Sequence, residues 1–533
     1  MFNNKIFNRR NSILAIILVA GFLIRVLSLS EANFGSDELF HVYAALSIIN
    51  SGEPILPSGF YYSRSLMFTE LVAISANIFG MSEFSARIPS VIFGVLTIFL
   101  VYLVTKRLFN ENGALFAAFL TAFAVIEVVF SRETRMYSMF QFTNLAFLFS
   151  FFILITTKAQ ENNKRWKYFF IEFKNIKCAV NYFALIACVF FAYISIKLQI
   201  LFLISFAAAI LFAYFYFYLL LDKLRKELLV LGIAGIVVLL LLFSFSDLFK
   251  GYLEFATKPL SWAEGNASNI KYYRDYLTEN FPFLFGLLPI SMVFLYPKKK
   301  KEIAFLAVCF FIPLIIHSFL PTKADRYIYY ILPILFIVQG VIISIVCKHL
   351  FQSIKERLSG NNNGMSYAVS IMVLVGSLFF FILSTPWFYQ SIKYHKQAFG
   401  MHYGVAHFHW QEAMRYVENS GSENDIIFSS LPLYSMYYSN RFSTFYSLNN
   451  YDENRAITNS IGIPIDYASG AYIVTNVNEL ADALTGDSNA WFVVEKHRID
   501  NKKAYSKELQ KFILDKFVLV KDLKDILVFR LRD

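Results

Sequence analysis

Two adjacent carboxylates and a histidine, Asp37, Glu38 and His41, follow the first long apolar run of a 533-residue chain. A carboxylate can take the proton from an attacking hydroxyl. If a helix begins at Ser36, Asp37 and His41 stand four residues apart on one face of it. The same residues also suit a plain helix start, because Ser36 is a good N-cap and the dipole favours acids in the first turn. Cations occur further along, at Arg64, in Ser131-Arg132-Glu133-Thr134-Arg135-Met136-Tyr137 and in Thr322-Lys323-Ala324-Asp325-Arg326-Tyr327. Guanidinium forks and ammonium groups suit anionic oxygens, and above all a phosphate that leaves with a developing charge. Each segment also fits an ordinary interfacial belt with snorkelling anchors. His402, His407 and His409 have the spacing of no standard metal site.

The elements that must position these residues are membrane helices. The chain is 57% hydrophobic and 18% aromatic and only 16% charged, with a mean hydropathy of +0.51. Its apolar residues come in runs long enough to cross a bilayer. Spans are expected near residues 12–30, 88–105, 114–130, 138–157, 178–196, 199–221, 228–246, 280–296, 303–320, 328–346 and 367–385, about eleven in all. The first run lacks a small-residue cleavage site and reads as a retained helix. The net charge of +11 does not indicate nucleic acid, because Lys and Arg collect in short loops between the runs. Lys5/Arg9/Arg10, Lys106/Arg107, Lys158 to Lys177, Lys223/Arg225/Lys226, Lys298 to Lys301 and Lys348/Lys355/Arg357 occupy alternate loops, which makes those cytoplasmic. The N-terminus is then inside, the C-terminus outside, and the expected location is the plasma membrane.

This alternation holds only if Leu66–Phe79 does not span. Residues 31–87 then form one long external loop with surface helices near 37–50 and 65–79. Residues 131–137, 247–279 and 321–327 are external too, so all the candidate residues share one side. Asn266-Ala267-Ser268 is a glycosylation acceptor pattern within the second of these. The four cysteines, Cys178, Cys188, Cys309 and Cys347, lie in or beside apolar runs, so no disulfide framework or cysteine metal site serves the polar tail. That tail begins near residue 386. Strand-like runs at 425–429, 442–448, 471–475, 491–495, 517–520 and 526–531, with helices near 404–419, 477–485 and 503–515, predict a small α/β domain. The expected fold class is therefore a mainly α, polytopic membrane protein over residues 1–385, with a C-terminal soluble α/β domain over 386–533.

With Tyr61-Tyr62, Phe79-Gly80-Met81-Ser82-Glu83-Phe84-Ser85-Ala86-Arg87-Ile88-Pro89-Ser90 and the Arg-x-x-Arg-x-Tyr segment at 132–137, the acidic pair resembles the GT-C glycosyltransferases. The likeness is to the dolichyl-phosphate-mannose–protein mannosyltransferase and lipid A aminoarabinose transferase branch, over residues 12–345. The resemblance implies inverting transfer of one sugar from a polyprenyl-phosphate donor to an extracytoplasmic acceptor. It implies no required cofactor, with at most a divalent cation, and no dedicated metal site. It makes Asp37 the base and Glu38 its catalytic neighbour. Arg132, Glu133, Arg135, Tyr137, Lys323, Arg326 and Tyr327, with His41 and Arg64, become donor- or substrate-binding positions. Many relatives carry an aspartate where Tyr137 stands. The Trp-Trp-Asp signature of oligosaccharyltransferases is absent, so transfer of a whole oligosaccharide to asparagine is not implied. A transporter or flippase of a lipid-linked saccharide is the alternative class, and it calls for charges deep inside the helices.

Overall fold

The computed structural model describes residues 9–157, 166–168, 171–173, 176–217, 257, 265–358, 409–439, 444–448, 456–459, 462–484, 489–499 and 505–532. The expected spans 228–246 and 367–385, together with His402 and His407, lie outside them. The chain divides into two compact units. One comprises Met1–Leu27, Ser90–Arg132 and Met136–Lys396; the other comprises Ser28–Pro89, Glu133–Arg135 and Gln397–Asp533.

The first unit is helical, with a short hairpin of β1 (Trp166–Tyr168) and β2 (Ile171–Phe173). Among the described residues, five helices are long and apolar enough to cross a membrane: Glu83–Leu108, Tyr137–Thr156, Val180–Leu198, Lys300–Phe319 and Tyr329–Gln352. In lipid the apolar effect does not drive helices together, so small residues that allow close backbone approach do much of the packing. The helices Glu111–Phe123 and Leu332–Leu358 meet in this way. A Cβ added to Gly340 would lie 2.5 Å from the Ala117 backbone nitrogen.

Two apolar runs that read as continuous helices are broken. Residues 111–130 form Glu111–Phe123 and Val125–Phe130, divided at Ala124, whose ψ of 127° is extended. Such a break leaves carbonyls without intrahelical partners. Arg25 takes two of them, donating Nη1 to Ala122 O at 2.8 Å and Nη2 to Thr121 O at 3.3 Å. The run 280–296 is likewise two short helices, Pro282–Gly286 and Leu288–Leu295, each with a proline in its first turn. Proline suits a first turn, where its missing N–H costs no hydrogen bond.

In the second unit the C-terminal residues build an eight-stranded mixed sheet in the order β5-β6-β7-β4-β3-β8-β10-β9. The strands are β3 Ile426–Ser429, β4 Phe445–Leu448, β5 Ala456–Thr458, β6 Pro464–Asp466, β7 Tyr472–Val474, β8 Ala490–Glu495, β9 Phe517–Asp522 and β10 Ile526–Leu531. The central four, β7-β4-β3-β8, run parallel, and antiparallel strands close both edges. Six of the eight fall on strand-like runs of the sequence. β5 and β6, at one end of the sheet, are three residues long, too few to show a period of two. All six side chains of β8 are buried, as a central parallel strand covered on both faces requires.

Residues 28–89 pack onto this domain through the helix Ser36–Ser51 and the loop after it, and the helix Leu66–Phe79 packs against the first helix. Tyr43 donates its hydroxyl to Leu433 O at 3.3 Å, and the Ser58 N–H donates to Ala468 O at 3.3 Å. Phe40 stacks on Tyr467 with ring centres 5.8 Å apart. Gly470, at φ +73°, permits the close passage of Ser58, whose Cα would lie 3.0 Å from an added Cβ. Leu66–Phe79 is a fourteen-residue helix that leaves Ile74, Ile78 and Phe79 exposed.

Candidate active site

The helix Ser36–Ser51 begins on Gly35, and Glu38 occupies its third position. Glu38 reaches back, and its Oε2 accepts the Gly35 N–H at 2.6 Å, one half of a capping box. The same carboxylate accepts Arg87 Nε at 3.0 Å and Nη2 at 2.9 Å, and the Thr134 N–H at 2.6 Å. Four protein donors therefore converge on a side chain that is 3% exposed. Arg87 is as fully engaged. It also donates Nη1 to Leu29 O and Ala32 O, both at 2.8 Å, and Nη2 to Asn33 O at 3.0 Å. The Phe34 ring lies 5.2 Å from its guanidinium carbon. This bidentate, multiply bonded pair meets the conditions under which a buried ion pair is tolerated. It ties residues 29–34, the helix start and residue 134 together.

Asp37, one residue earlier, is held differently. Its carboxylate is 41% exposed, and Arg135 Nη2 stands 3.5 Å from Oδ2. Arg135, only 4% exposed, also donates Nη1 to the Asp37 backbone carbonyl at 2.8 Å. The guanidinium thus holds the residue by its backbone as well as beside its half-exposed carboxylate.

His41 is buried on the same helix, its Nδ1 2.9 Å from Thr69 Oγ1, with the edges of Tyr62 and Phe68 against it. Burial, followed by the nearby Arg135 and Arg64 cations, pushes its pKa well below the ordinary value, and Asp37 opposes the shift weakly. His41 is therefore neutral at physiological pH. Arg64 is exposed. Asp37, Glu38, His41, Arg64 and Arg135 all belong to the second unit, where they are brought together.

The remaining predicted residues belong elsewhere, except Glu133, which is buried in the second unit. Arg132 lies in the first unit and caps a helix end. Its Nη1 donates to Ile24 O, Arg25 O and Leu27 O at 3.2, 2.9 and 2.7 Å, carbonyls of the last turn of the helix Arg9–Val26 and of the residue after it. Tyr137 opens the helix Tyr137–Thr156, edge-on to Phe130 at 5.3 Å.

Lys323, Arg326 and Tyr327 stand before the helix Leu332–Leu358, again in the first unit. Lys323 Nζ donates to Ala267 O at 2.8 Å and Leu320 O at 2.7 Å, using two of its three N–H groups. Burial lowers its pKa. The Arg326 guanidinium lies over the Tyr327 ring at 5.5 Å. Asp325 accepts the Tyr272 hydroxyl at 2.9 Å, and burial raises its pKa against that hydrogen bond. Among the described residues no group of three or more His, Cys, Asp or Glu could hold a metal ion. His409 pairs with Asp525 at 2.6 Å.

Three charged side chains matter more than the sequence reading allowed. Arg87 was visible only as part of the Arg-Ile-Pro-Ser motif. Arg25 and Glu127 each sit inside a long apolar run, which is itself a signal that an ionisable group has a partner. Glu127 accepts the Gln141 amide at 2.9 Å and the Tyr329 hydroxyl at 2.8 Å. Gly94 leaves room for Arg25 to reach Ser131, where an added Cβ would collide with the serine side chain.

A family model described as dolichyl-phosphate-mannose-protein mannosyltransferase matches residues 63–205, a segment that holds Arg87 and the 132–137 motif. No curated protein sequence matches the chain. Among solved structures, ArnT from Cupriavidus metallidurans in the apo state matches with a TM-score of 0.63 at 12% identity, covering 98% of each chain. The chain has the GT-C glycosyltransferase fold. The same ArnT bound to undecaprenyl phosphate aligns over 97% of each chain, with a TM-score of 0.59 and 11% identity. The Archaeoglobus fulgidus oligosaccharyltransferase shares the GT-C fold over 95% of this chain and 72% of its own, with a TM-score of 0.60 and 14% identity. The expected architecture, a helical membrane part with a strand-containing C-terminal domain, is thus present.

Proposed function

We propose that this protein is an integral-membrane glycosyltransferase. It moves a single hexose or pentose from a polyprenyl-phosphate-linked donor to a hydroxyl of an extracytoplasmic lipid, glycan or protein, with inversion. The observation that carries this reading is the contrast within the acidic pair. Glu38 has every acceptor position engaged by a protein donor, whereas the Asp37 carboxylate is 41% exposed beside Arg135. Asp37 is the general base and Glu38 a positioning residue.

In the reaction the acceptor hydroxyl attacks the anomeric carbon and its proton passes to Asp37. The bond between that carbon and the phosphate oxygen breaks, and the polyprenyl phosphate leaves with the electron pair. A single displacement inverts the anomeric centre. Lys323 and Arg326 hold the donor phosphate and neutralise its growing charge, which a cation pair does well beside an apolar surface. The undecaprenyl phosphate bound by the ArnT relative supports this class of donor. The acceptor side is the extracytoplasmic one, with the N-terminus in the cytoplasm.

The test is a transfer assay with purified protein and a panel of polyprenyl-phosphate sugars. Asp37→Asn is expected to abolish turnover while the unfolding temperature stays within a few degrees of wild type; near-normal turnover would overturn the assignment. Lys323→Ala and Arg326→Ala should each weaken donor binding. Unchanged donor affinity in both would remove the phosphate site from this segment.

A further inference from the structure

The second unit holds a cleft of about 550 Å³ that the proposed reaction does not use. Its walls include Tyr43, Glu83, Tyr437, and Gln411 and Arg415 from the helix Trp410–Ser420. Tyr43 stands six residues beyond Asp37 on the same helix. That is about 9 Å along the axis and about 120° around it, so the cleft opens on a different face from the carboxylate.

We infer that this cleft binds a saccharide of the acceptor, an inference that rests on the glycosyl-transfer reading above. Three features support it. Tyr437 meets the Phe34 ring edge-on at 5.3 Å and the Tyr43 ring at 6.1 Å, so its ring is fixed before any ligand arrives. A fixed aromatic face presents apolar area at little entropic cost, and the C–H face of a pyranose ring matches it.

Next, Tyr438 accepts the Phe34 N–H and donates to Glu83 Oε1, both at 2.8 Å, which holds one carboxylate at the rim in a set orientation. Finally, Gln411 and Arg415 lie four residues apart on the polar face of their helix, whose other face buries Trp410, Ala413, Met414 and Val417. Among the described residues neither side chain has a hydrogen-bond or ion-pair partner. An amide and a guanidinium with unspent donors, facing a fixed tyrosine and a carboxylate, suit the paired hydroxyls of a sugar.

The charge balance narrows the ligand further. Among the described residues of the lining Arg415 is the one cation, against Glu83 and Glu418, so a phosphate or another polyanion is disfavoured. The occupant is a neutral or amino-bearing sugar. Its volume class is that of a small-molecule site, which spans roughly 300–1,000 Å³.

The experiment is saturation-transfer NMR on the full chain in lipid nanodiscs free of glycosidic detergent. Maltotriose, cellotriose, mannotriose and chitotriose are the probes. Wild type is expected to transfer saturation to the ring protons of at least one probe. Arg415→Ala should weaken that binding about tenfold, the worth of one hydrogen bond to a charged group. Tyr437→Ala should weaken it as well. Arg415 is exposed, so its variant tests the cleft even if the tyrosine variant folds poorly. Asp37→Asn should bind as wild type does, because the base lies on another face of the helix. No saturation transfer with any probe, or equal transfer in wild type and both cleft variants, overturns the proposal. Binding that persists in a protein unable to turn over any donor keeps the cleft and removes the enzyme reading. Turnover without binding does the reverse.

Discussion

Glu38 and Asp37 are consecutive carboxylates on the first turn of one helix, each paired with an arginine that is itself buried. Glu38 meets Arg87 through two nitrogens at 2.9 and 3.0 Å and takes two backbone N–H groups besides. Asp37 meets Arg135 at 3.5 Å and keeps 41% of its carboxylate exposed. The difference comes from helix geometry, since neighbouring residues point about 100° apart. One carboxylate can therefore close the structure while the next, under the proposed reaction, takes the proton. Glu38 makes the reach-back hydrogen bond of the helix start, while the Asp37 carboxylate stays half-exposed beside Arg135.

The largest effect should follow from breaking the buried half of this comparison. Arg87→Met takes the bidentate arginine away from the buried Glu38, and Glu38→Gln takes the carboxylate away from the buried Arg87. Removing one partner of a buried pair costs about 3–5 kcal/mol. Each variant is expected to unfold at a markedly lower temperature in detergent, and to lose activity only along with folded protein. A variant that keeps its unfolding temperature but loses turnover would mean that Glu38 acts in the chemistry after all.

How much of this was legible in the sequence depends on the physical origin of each signal. The helix Ser36–Ser51 and the short helix Leu66–Phe79 were readable, because an acidic first turn and apolar length are local properties, although the cap is Gly35 and not Ser36. So were most strands of the C-terminal sheet, whose buried runs are β-branched and aromatic. The clamp was not readable. Glu38 and Arg87 are 49 residues apart, and no local pattern encodes their pairing. Nor did the sequence separate Arg132 from Arg135, which are three residues apart. Arg132 is drawn off by carbonyls at the end of the helix Arg9–Val26, while Arg135 goes to Asp37. Like charges in one motif find different partners because one end of the motif lies against a helix terminus. The break at Ala124 was hidden for a related reason, since it is compensated by Arg25, a residue about a hundred positions away.

A smaller effect is expected at the exposed half. Arg135 touches Asp37 through both backbone and side chain, so its loss should move the base without unfolding the helix. Arg135→Ala is expected to lower kcat by about a hundredfold, the usual consequence of displacing a reacting group by an ångström. KM for the donor should change little. Arg135→Lys keeps the charge but cannot reach both atoms in the same fork geometry, and should recover only part of the rate. Equal kcat in Arg135→Ala and wild type would separate Arg135 from the base. A large rise in donor KM with kcat intact would place it on the phosphate instead.

The smallest effect concerns His41, behind the pair. Its pKa in the folded protein is pushed well below the ordinary 6.5, first by burial and then by Arg135 and Arg64. The unfolded chain binds a proton on this residue as pH falls through about 6.5, and the folded chain does not until a lower pH. Stability is therefore fully present above pH 6.5 and declines as the pH drops below it. The decline is at most about 1.4 kcal/mol per pH unit for one group. The unfolding temperature of wild type, followed from pH 7.5 to 5, should fall more steeply than that of His41→Gln, which has no proton to gain. The two curves should converge at the acid end, and parallel curves would mean that His41 takes up its proton in the folded chain as readily as in the unfolded one. A charged His41 would add a third cation beside Arg135 and Arg64, compete for the Asp37 carboxylate and weaken it as a base. Under the proposed reaction the neutral histidine thus belongs with the clamp, since both leave Asp37 to Arg135 and the acceptor hydroxyl.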